Sequence, residues 1–225
     1  MRDLKHLTRQ FDLIPQGILE TPITVIGAGA IGSEVTVKLA KMGFNNITVF
    51  DDDEVDTVNL NSQFYRFRDI GKMKVEALAE IVEDFANVQI QPIGMRYTID
   101  MKPREGIVIS AVDSMTARTI LFEKHKGLGS TSLVIDSRMG AEQFLFYAYR
   151  PVYEDDCLSY AKSLYSDEDS VAEPCTAKAT TYCVSQISAL VCGTVKQFLT
   201  KQKYVKQSSG SVPLGDVTSF LREAK

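Results

Sequence analysis

The segment TPITVIGAGAIGSEV, residues 21–35, places a glycine-rich turn between an apolar run and a helical pattern. An apolar run of this length, bounded by proline and glycine, is typical of a buried strand. Gly27, Gly29 and Gly32 have the spacing at which one glycine permits a tight turn, one lets a phosphate approach the backbone, and one packs the helix against the strand. The segment, with Ala28 in the turn, therefore predicts a nucleotide-phosphate site at the start of a crossover unit.

Strand and helix patterns alternate along most of the chain. Strands are predicted at residues 47–51, 88–93, 107–113, 133–136 and 143–150, and helices at residues 30–43, 72–86, 116–125 and 177–201. Strands separated by helices need crossover connections and so pair in parallel, whereas aromatic-rich strands late in the chain predict an antiparallel edge. The predicted fold is α/β: a Rossmann-like, doubly wound, mainly parallel sheet with antiparallel edge strands.

Two segments carry more specific expectations. The inner face of the helix at 72–86 is predicted to contain Val75, Leu78, Ala79, Val82 and Phe85. Residues 151–174 are acidic and lack periodicity, so we expect a mobile surface crossing in which Cys157 is exposed. Its acids, which include Asp155, Asp156, Asp167, Glu168 and Asp169, either attract a basic partner or form a solvated surface.

Composition excludes several classes of protein. A net charge of −4 over 225 residues disfavours a duplex nucleic-acid partner. The amino-terminal residues are too charged for a secretory signal, and a run of about 18 apolar residues that could cross a membrane is missing. The four cysteines form no Cys-x-x-Cys pair. We therefore expect a cytoplasmic protein with reduced cysteines, no zinc and no membrane partner.

An acid that follows the second predicted strand extends the nucleotide site. Asp51 lies roughly 20 residues beyond Gly32, where a ribose-binding carboxylate is expected. NAD and ATP fit these residues about equally well. The polar segment at 52–74 favours a triphosphate, because amides and cations bind phosphate oxygens. Its candidates are Asn59, Asn61, Gln63, Arg66, Arg68, Lys72 and Lys74.

The longer motifs resemble those of the ThiF/MoeB/HesA superfamily, the bacterial relatives of ubiquitin-activating enzymes. The resembling pieces are GAGAIG, then DDDxVxxxNLNxQF after the second strand, Gly-x-x-Lys at residues 71–74, and SAVDSMTAR at residues 110–118. The resemblance implies ATP-dependent adenylation of a carboxyl terminus on a ubiquitin-like protein, a sulfur carrier or a peptide, by a homodimer. The resemblance runs from Arg9 to about Leu199. We expect an adenylation domain over residues 1–203, with residues 204–225 as a tail or docking arm.

The same resemblance implies roles for individual residues. Gly27, Ala28, Gly29 and Gly32 would hold the phosphates, Asp51 the ribose, and Asn59 a phosphate, with Asp53 and Gln63 also in the ATP site. Lys74 would neutralise charge near the α-phosphate, Asp113 would bind Mg²⁺, and Arg9 would reach the partner subunit's ATP. An alternative role for Asp113 is to cap the helix that follows it, and Arg9 is alternatively an ordinary exposed arginine.

One position departs from the family pattern. Ser62 stands where the superfamily has an arginine that stabilises transition-state charge, and loss of one such donor costs on the order of 10²–10³ in rate. Arg66 or Arg68 could replace it. The alternative functions are a catalytically weak nucleotide-binding scaffold and an NAD(P)-dependent oxidoreductase.

Cys175 precedes the predicted helix at 177–201 and matches the nucleophilic cysteine of some relatives. A helix amino terminus favours the thiolate, so Cys175 could capture the activated carboxyl as a thioester, and a buried structural cysteine is the equal alternative. Cys183 and Cys192 are predicted to lie in the core. Arg138 could pair with Asp136 or with a substrate carboxylate.

Overall fold

The computed structural model describes residues 4–166 and 179–222. The helices are α1 (Ala30–Lys41), α2 (Lys74–Ala86), α3 (Met115–His125), α4 (Glu154–Ala161) and α5 (Thr181–Lys201). The strands are β1 (Ile23–Ile26), β2 (Ile47–Phe50), β3 (Gln91–Ile93), β4 (Gly106–Ser110), β5 (Thr131–Gly140), β6 (Gln143–Tyr149), β7 (Tyr204–Ser211) and β8 (Asp216–Arg222).

All eight strands form one sheet in the order β3-β2-β1-β4-β5-β6-β7-β8. The first five strands in this order pair in parallel, and β6, β7 and β8 pair antiparallel. From β1 the chain adds β2 and β3 on one side of the sheet and then crosses to add β4 on the other side of β1. The strand order therefore reverses between β1 and β4. The prediction of a Rossmann-like, mainly parallel sheet with antiparallel edge strands is confirmed.

Two hydrophobic layers cover the sheet. On one face, Val25 and Ile109 pack in a core cluster with residues of α1, α2 and α5. On the other face, Ile26 and Val108 pack with residues of α3 and α4. The central parallel strands are therefore buried on both sides, which explains why their sequences are continuous apolar runs rather than alternating ones.

Three predictions need correction. Phe85 is 54% exposed, because it lies at the edge of the α2 stripe that Val75, Leu78 and Val82 bury. Residues 154–161 form α4, and both Asp156 and Cys157 are buried in its inner face. Burial raises the pKa of the Cys157 thiol, so the expectation that this cysteine is exposed is wrong.

The segment from residue 204 adds a hairpin to the sheet. β7 pairs with β6 and β8 pairs with β7, so the described residues of the predicted tail or docking arm are strands. The pairing of β7 with β6 brings this hairpin into the sheet, and local periodicity does not indicate a contact between such distant segments. None of the helices in the described part of the chain has the length and apolar character needed to cross a bilayer.

Candidate nucleotide site

The glycine turn joins β1 to the amino terminus of α1. Gly27 has φ +94°, and a Cβ added at Gly32 would lie 1.8 Å from the Gly27 oxygen. These two glycines therefore let the turn, the helix and the strand approach one another. Gly29, the residue before α1, differs because an added Cβ would meet no atom within 4 Å. Open space beside the free N–H groups of a helix amino terminus fits a bound phosphate.

Asp51 follows β2 and faces this turn. Its Oδ2 accepts a hydrogen bond from Ala28 N at 2.6 Å, and its Oδ1 accepts one from Asp53 N at 2.9 Å. Burial raises the pKa of the Asp51 carboxyl, and these two N–H donors oppose that shift. Each carboxylate oxygen can accept a second hydrogen bond, so Asp51 can hold the turn and accept ribose hydroxyls as well.

Lys74 begins α2 at the same edge of the sheet. Its Nζ lies 2.6 Å from Asp53 Oδ2, and only 8% of its side chain is exposed. Asp53 is 61% exposed, so the pair places a cation from the protein interior at the margin of the site. Oxygens of Asp51, Asp52 and Asp53 all lie within 4.8 Å of one another, which makes this margin strongly anionic without Lys74.

The segment between Asp53 and α2 carries Asn59 and Gln63. Asn59 Oδ1 accepts a hydrogen bond from Asp56 N at 2.9 Å, which closes a 3₁₀ turn. Its carbonyl side is thus structural, and a phosphate contact would use its N–H groups. Gln63 Oε1 is buried and lacks a hydrogen-bond partner among the described residues. A buried unpaired amide oxygen of this kind is a reason to expect a bound polar group nearby.

Two residues that sequence reasoning missed attach this segment to the glycine turn. Tyr65 donates its hydroxyl to Ala28 O at 2.6 Å, and Ser33 Oγ accepts from Phe64 N at 3.0 Å. Burial raises the pKa of Tyr65 well above its usual value, so the hydroxyl remains a donor. Both contacts join residues more than 30 positions apart, and no local pattern in the sequence indicates them.

Asp113 lies in the connection between β4 and α3. Ser114 caps α3, because its side chain accepts from Ala117 N at 3.2 Å. The capping role that was the alternative for Asp113 therefore belongs to its neighbour. Asp113 is exposed at the carboxyl end of β4, on the strand next to β1. An exposed carboxylate at the edge of the glycine turn is a suitable ligand for Mg²⁺.

Arg9 is not brought to this site within one chain. It lies on a 3₁₀ helix at Lys5–Gln10, whose Gln10 Nε2 donates to Met42 O at 3.1 Å, beyond the end of α1. Gly29 and Met42 flank the 12 residues of α1, and a helix of that length spans about 18 Å. Arg9 therefore lies near the opposite end of α1 from the glycine turn.

Cys175 falls outside the residues that the structure describes, so its predicted thioester role stays a prediction. Cys183 and Cys192 lie in the core as expected. Burial raises their pKa values to about 11 and about 12, which removes them as nucleophiles.

Sequence comparison identifies the family. The model described as "ThiF family" matches residues 12–214. The chain belongs to the ThiF family. Among curated relatives, the NEDD8-activating enzyme E1 catalytic subunit of Arabidopsis thaliana is 36% identical over 134 residues, which cover 52% of this chain and 30% of that protein. The SUMO-activating enzyme subunit uba-2 of Caenorhabditis elegans is 33% identical over 109 residues, which cover 45% and 19%. This chain thus spans less than a third of these relatives.

Solved structures share the ThiF fold. E. coli MccB, crystallised with AMPCPP and MccA, has a TM-score of 0.74 at 16% identity, with 100% of this chain and 73% of that chain covered. The E. coli tRNA N6-threonylcarbamoyladenosine dehydratase TcdA has a TM-score of 0.69 at 17% identity, with 88% and 95% covered.

Arg66, one of the two candidates to replace the arginine expected at Ser62, is bound by acidic side chains. The Arg66 guanidinium donates to both oxygens of Asp69, at 2.8 and 2.9 Å, and also pairs with Asp84. Asp69 is fully buried. Burial acts to raise its pKa, but the hydrogen bonds from Arg66 outweigh that and lower it. These contacts occupy the Arg66 guanidinium, whereas Arg68 is exposed and lies 3.5 Å from Asp84.

Proposed function

We propose that this ThiF-family chain uses ATP to adenylate the carboxyl terminus of a protein or peptide, releasing pyrophosphate. The observation that carries the proposal is the convergence of the glycine turn, Asp51, Lys74 and Asp113 at the carboxyl ends of adjacent parallel strands. Ligands bind at this edge, where the strand order reverses. Relatives named for activation of NEDD8 and SUMO, and the MccB complex with MccA, support a ubiquitin-like protein or a peptide as the substrate, and a sulfur carrier is the third candidate.

The chain's own residues divide the work of binding ATP. The N–H groups at the start of α1 would receive phosphate oxygens above Gly29, and Asp51 would accept the ribose hydroxyls. Asn59 would add amide donors to the phosphates. Gln63 would pair its buried oxygen with a ligand donor, since this atom has no partner in the described chain. The Mg²⁺ that accompanies ATP would neutralise phosphate charge when held by Asp113.

In the proposed reaction, a carboxylate oxygen of the substrate attacks the α-phosphorus of ATP. The new P–O bond forms as the bond to the β-phosphate oxygen breaks, and the electron pair leaves with pyrophosphate. Lys74 would stabilise the charge that develops around the α-phosphate, because its ammonium is fixed at the site before the substrate arrives. Arg9 from the second subunit of a homodimer would add a guanidinium to the phosphates.

The test is calorimetric titration of the full chain with ATP and Mg²⁺, with NAD as the parallel ligand. We expect ATP to bind, NAD not to bind, and Lys74→Met to weaken ATP binding, whereas Lys72→Met, which removes a cation paired with Glu80 outside the site, has little effect. ATP-dependent pyrophosphate exchange should then appear with a peptide that ends in a free carboxylate, such as one ending in Gly-Gly. Binding of NAD with no binding of ATP would support an oxidoreductase and overturn the proposal.

Ser62 favours a second candidate, a catalytically weak scaffold that binds nucleotide. Arg66 is bound to Asp69, which leaves the exposed Arg68 as the other candidate to replace the missing arginine. The discriminating variant is Ser62→Arg. If adenylation appears only in this variant, the scaffold function is favoured, and full activity of the native chain would dispose of it.

A further inference from the structure

A group of buried charged side chains lies beside the nucleotide site without belonging to it. Asp136 of β5 is fully buried. Its Oδ1 accepts from Arg118 Nε of α3 at 3.0 Å, and its Oδ2 accepts from Arg138 Nε at 2.7 Å and from the Tyr160 hydroxyl of α4 at 3.0 Å. Both arginine side chains are more than nine-tenths buried. We call these four residues the Asp136 cluster.

The Asp136 cluster holds two backbone segments that lie far apart in the sequence. Arg118 Nη2 donates to Val112 O, the carbonyl immediately before Asp113. Arg138 donates to Ser163 through Nη1 to its carbonyl oxygen at 2.9 Å and through Nη2 to its Oγ at 3.0 Å. One carboxylate thus connects the residue before Asp113 to the turn that follows α4.

In the connection between β4 and α3, each residue except Asp113 makes a hydrogen bond that fixes its position. Ala111 N donates to Ile26 O at 2.8 Å, Val112 O accepts from Arg118, and Ser114 caps α3. Asp113 is the one residue of this four-residue connection whose side chain is exposed. The neighbouring contacts therefore fix the backbone from which the Asp113 side chain projects, and the contact at Val112 involves Arg118, which Asp136 orients.

The Asp136 cluster is better explained by the orientation that it gives to Arg118 than by a gain in folding free energy. Two buried guanidinium groups around one carboxylate cost desolvation energy, and an apolar cluster of similar volume would stabilise the fold as well. The planar fork of Arg118 bonds Asp136 through Nε and Val112 through Nη2, so its orientation is set at two points. Residues that do not touch a metal but orient its ligands are typically fixed by several hydrogen bonds in the same way.

We propose, on the basis of the proposed function, that the Asp136 cluster is a positioning device for Asp113 as a Mg²⁺ ligand. Asp136 orients Arg118, Arg118 fixes the Val112 carbonyl, and the Asp113 carboxylate is thereby presented to metal-bound ATP. Asp136 and Arg118 are positioning residues in this arrangement and do not touch ATP.

The test compares two fully buried aspartates in the full-length chain, Asp136→Asn and Asp156→Asn. Asp156 is a matched control because it is equally buried but accepts from Tyr204 and pairs with Lys206 at 3.4 Å, away from the nucleotide site. ATP affinity is measured by calorimetry with and without Mg²⁺. Binding of Mn²⁺ in the presence of ATP is followed by the loss of the free-ion electron paramagnetic resonance signal.

We expect Asp136→Asn to reduce the gain in ATP affinity produced by Mg²⁺ by about 10–100-fold, the usual effect of removing a group that orients a metal ligand. Affinity for ATP without metal should stay within about twofold, a change worth only ~0.4 kcal/mol. Asp156→Asn should retain both the Mg²⁺ gain and Mn²⁺ binding.

Equal losses in the two variants, or no loss in Asp136→Asn, would overturn the inference. If Asp136→Asn does not fold, Arg118→Lys serves in its place, because a lysine keeps the charge but lacks the planar fork that bonds Asp136 through Nε and Val112 through Nη2. If the unaltered chain binds no ATP, the proposed function falls and this inference with it. If it binds ATP and Mg²⁺ but the variants behave alike, only this inference falls.

Discussion

The parallel and antiparallel halves of the sheet differ in where they place functional side chains. β1, β2 and β4 all end at the same edge, and Gly27, Asp51 and Asp113 follow them within three residues. β6, β7 and β8 run in alternating directions, so their ends are shared between both edges. Parallel pairing therefore brings the residues that follow several strands to one edge of the sheet, whereas the antiparallel half distributes its strand ends over both edges and extends the sheet.

The boundary between the halves is β5, and it carries the most buried charge. β5 pairs in parallel with β4 and antiparallel with β6, and Asp136 lies opposite Ser110 on one side and Tyr147 on the other. Its counterpart in the antiparallel half is Asp156 of α4, which accepts from Tyr204 of β7. The contrast between these two carboxylates is open to direct measurement.

The largest effect on stability is expected from Asp136→Asn. The substitution leaves the buried Arg118 and Arg138 without a compensating charge, which costs about 3–5 kcal/mol. Asp156→Asn should cost about 1–3 kcal/mol, because Lys206 is a quarter exposed and can turn to water. Urea unfolding at pH 7 measures both. Equal losses of unfolding free energy in the two variants would show that the buried carboxylates of the two halves contribute equally to stability.

The next effect compares a glycine in each half. In Gly32→Ala the new Cβ would lie 1.8 Å from the Gly27 oxygen, so we expect a loss of about 3 kcal/mol and no ATP binding. In Gly210→Ala it would lie 2.4 Å from Asp216 O in the terminal hairpin. The new Cβ would also lie 3.0 Å from the buried Phe144 ring, so β8 must shift to admit it, and we expect about 2 kcal/mol with ATP affinity retained. Calorimetry measures ATP affinity and urea unfolding measures stability for the two variants. Weakened ATP binding in Gly210→Ala would contradict the expectation that only the parallel half of the sheet contributes to the nucleotide site.

A smaller effect follows from removing one hydroxyl in each half. Tyr65→Phe loses the hydrogen bond to Ala28 O, worth about 1 kcal/mol, and should weaken ATP binding by roughly two- to tenfold. Tyr204→Phe loses the hydrogen bond to Asp156 and should lower stability without changing ATP affinity. The two titrations are run side by side. Identical ATP affinities in the two variants would show that Tyr65 does not shape the glycine turn.

The smallest effect at neutral pH concerns the opposite edge of the parallel half. His125 is fully buried, with Nδ1 donating to Leu121 O at 2.8 Å and Nε2 accepting from Arg104 N at 3.3 Å. Burial lowers the pKa of His125, so its contribution to stability is present above the unfolded pKa, about 6.5, and is lost as pH falls toward the folded pKa.

The measurement is the Tm of the native chain and of His125→Gln between pH 7.5 and 5.5. We expect the native Tm to fall more steeply than that of the variant. His6→Gln is the control, because His6 is exposed and its replacement should leave the native slope unchanged. Parallel slopes in the native chain and His125→Gln would contradict the prediction.

Sequence reasoning proposed the residues of the nucleotide site but missed the distant contacts that support them. The glycine turn and Asp51 were singled out from glycine spacing and a strand-end acid, whereas the roles of Lys74 and Asp113 came from the resemblance to the ThiF/MoeB/HesA superfamily. Tyr65, Ser33 and the buried role of Asp156 were missed, because each depends on a partner more than 30 residues away. The sequence left open whether Arg66 or Arg68 replaces the arginine expected at Ser62, and it did not show that Arg66 binds the buried Asp69.

The sequence alone determined the alternation of strands and helices, the parallel sheet and the phosphate-binding turn, because periodicity and glycine spacing act within one or two turns of chain. Only the tertiary structure decided that α4 covers Asp156, that the last described strands join the sheet, and that Arg138 pairs with Asp136 rather than remaining available to a substrate. Those outcomes depend on which distant groups bury one another's charge and backbone, and burial is a property of the packed chain rather than of any segment.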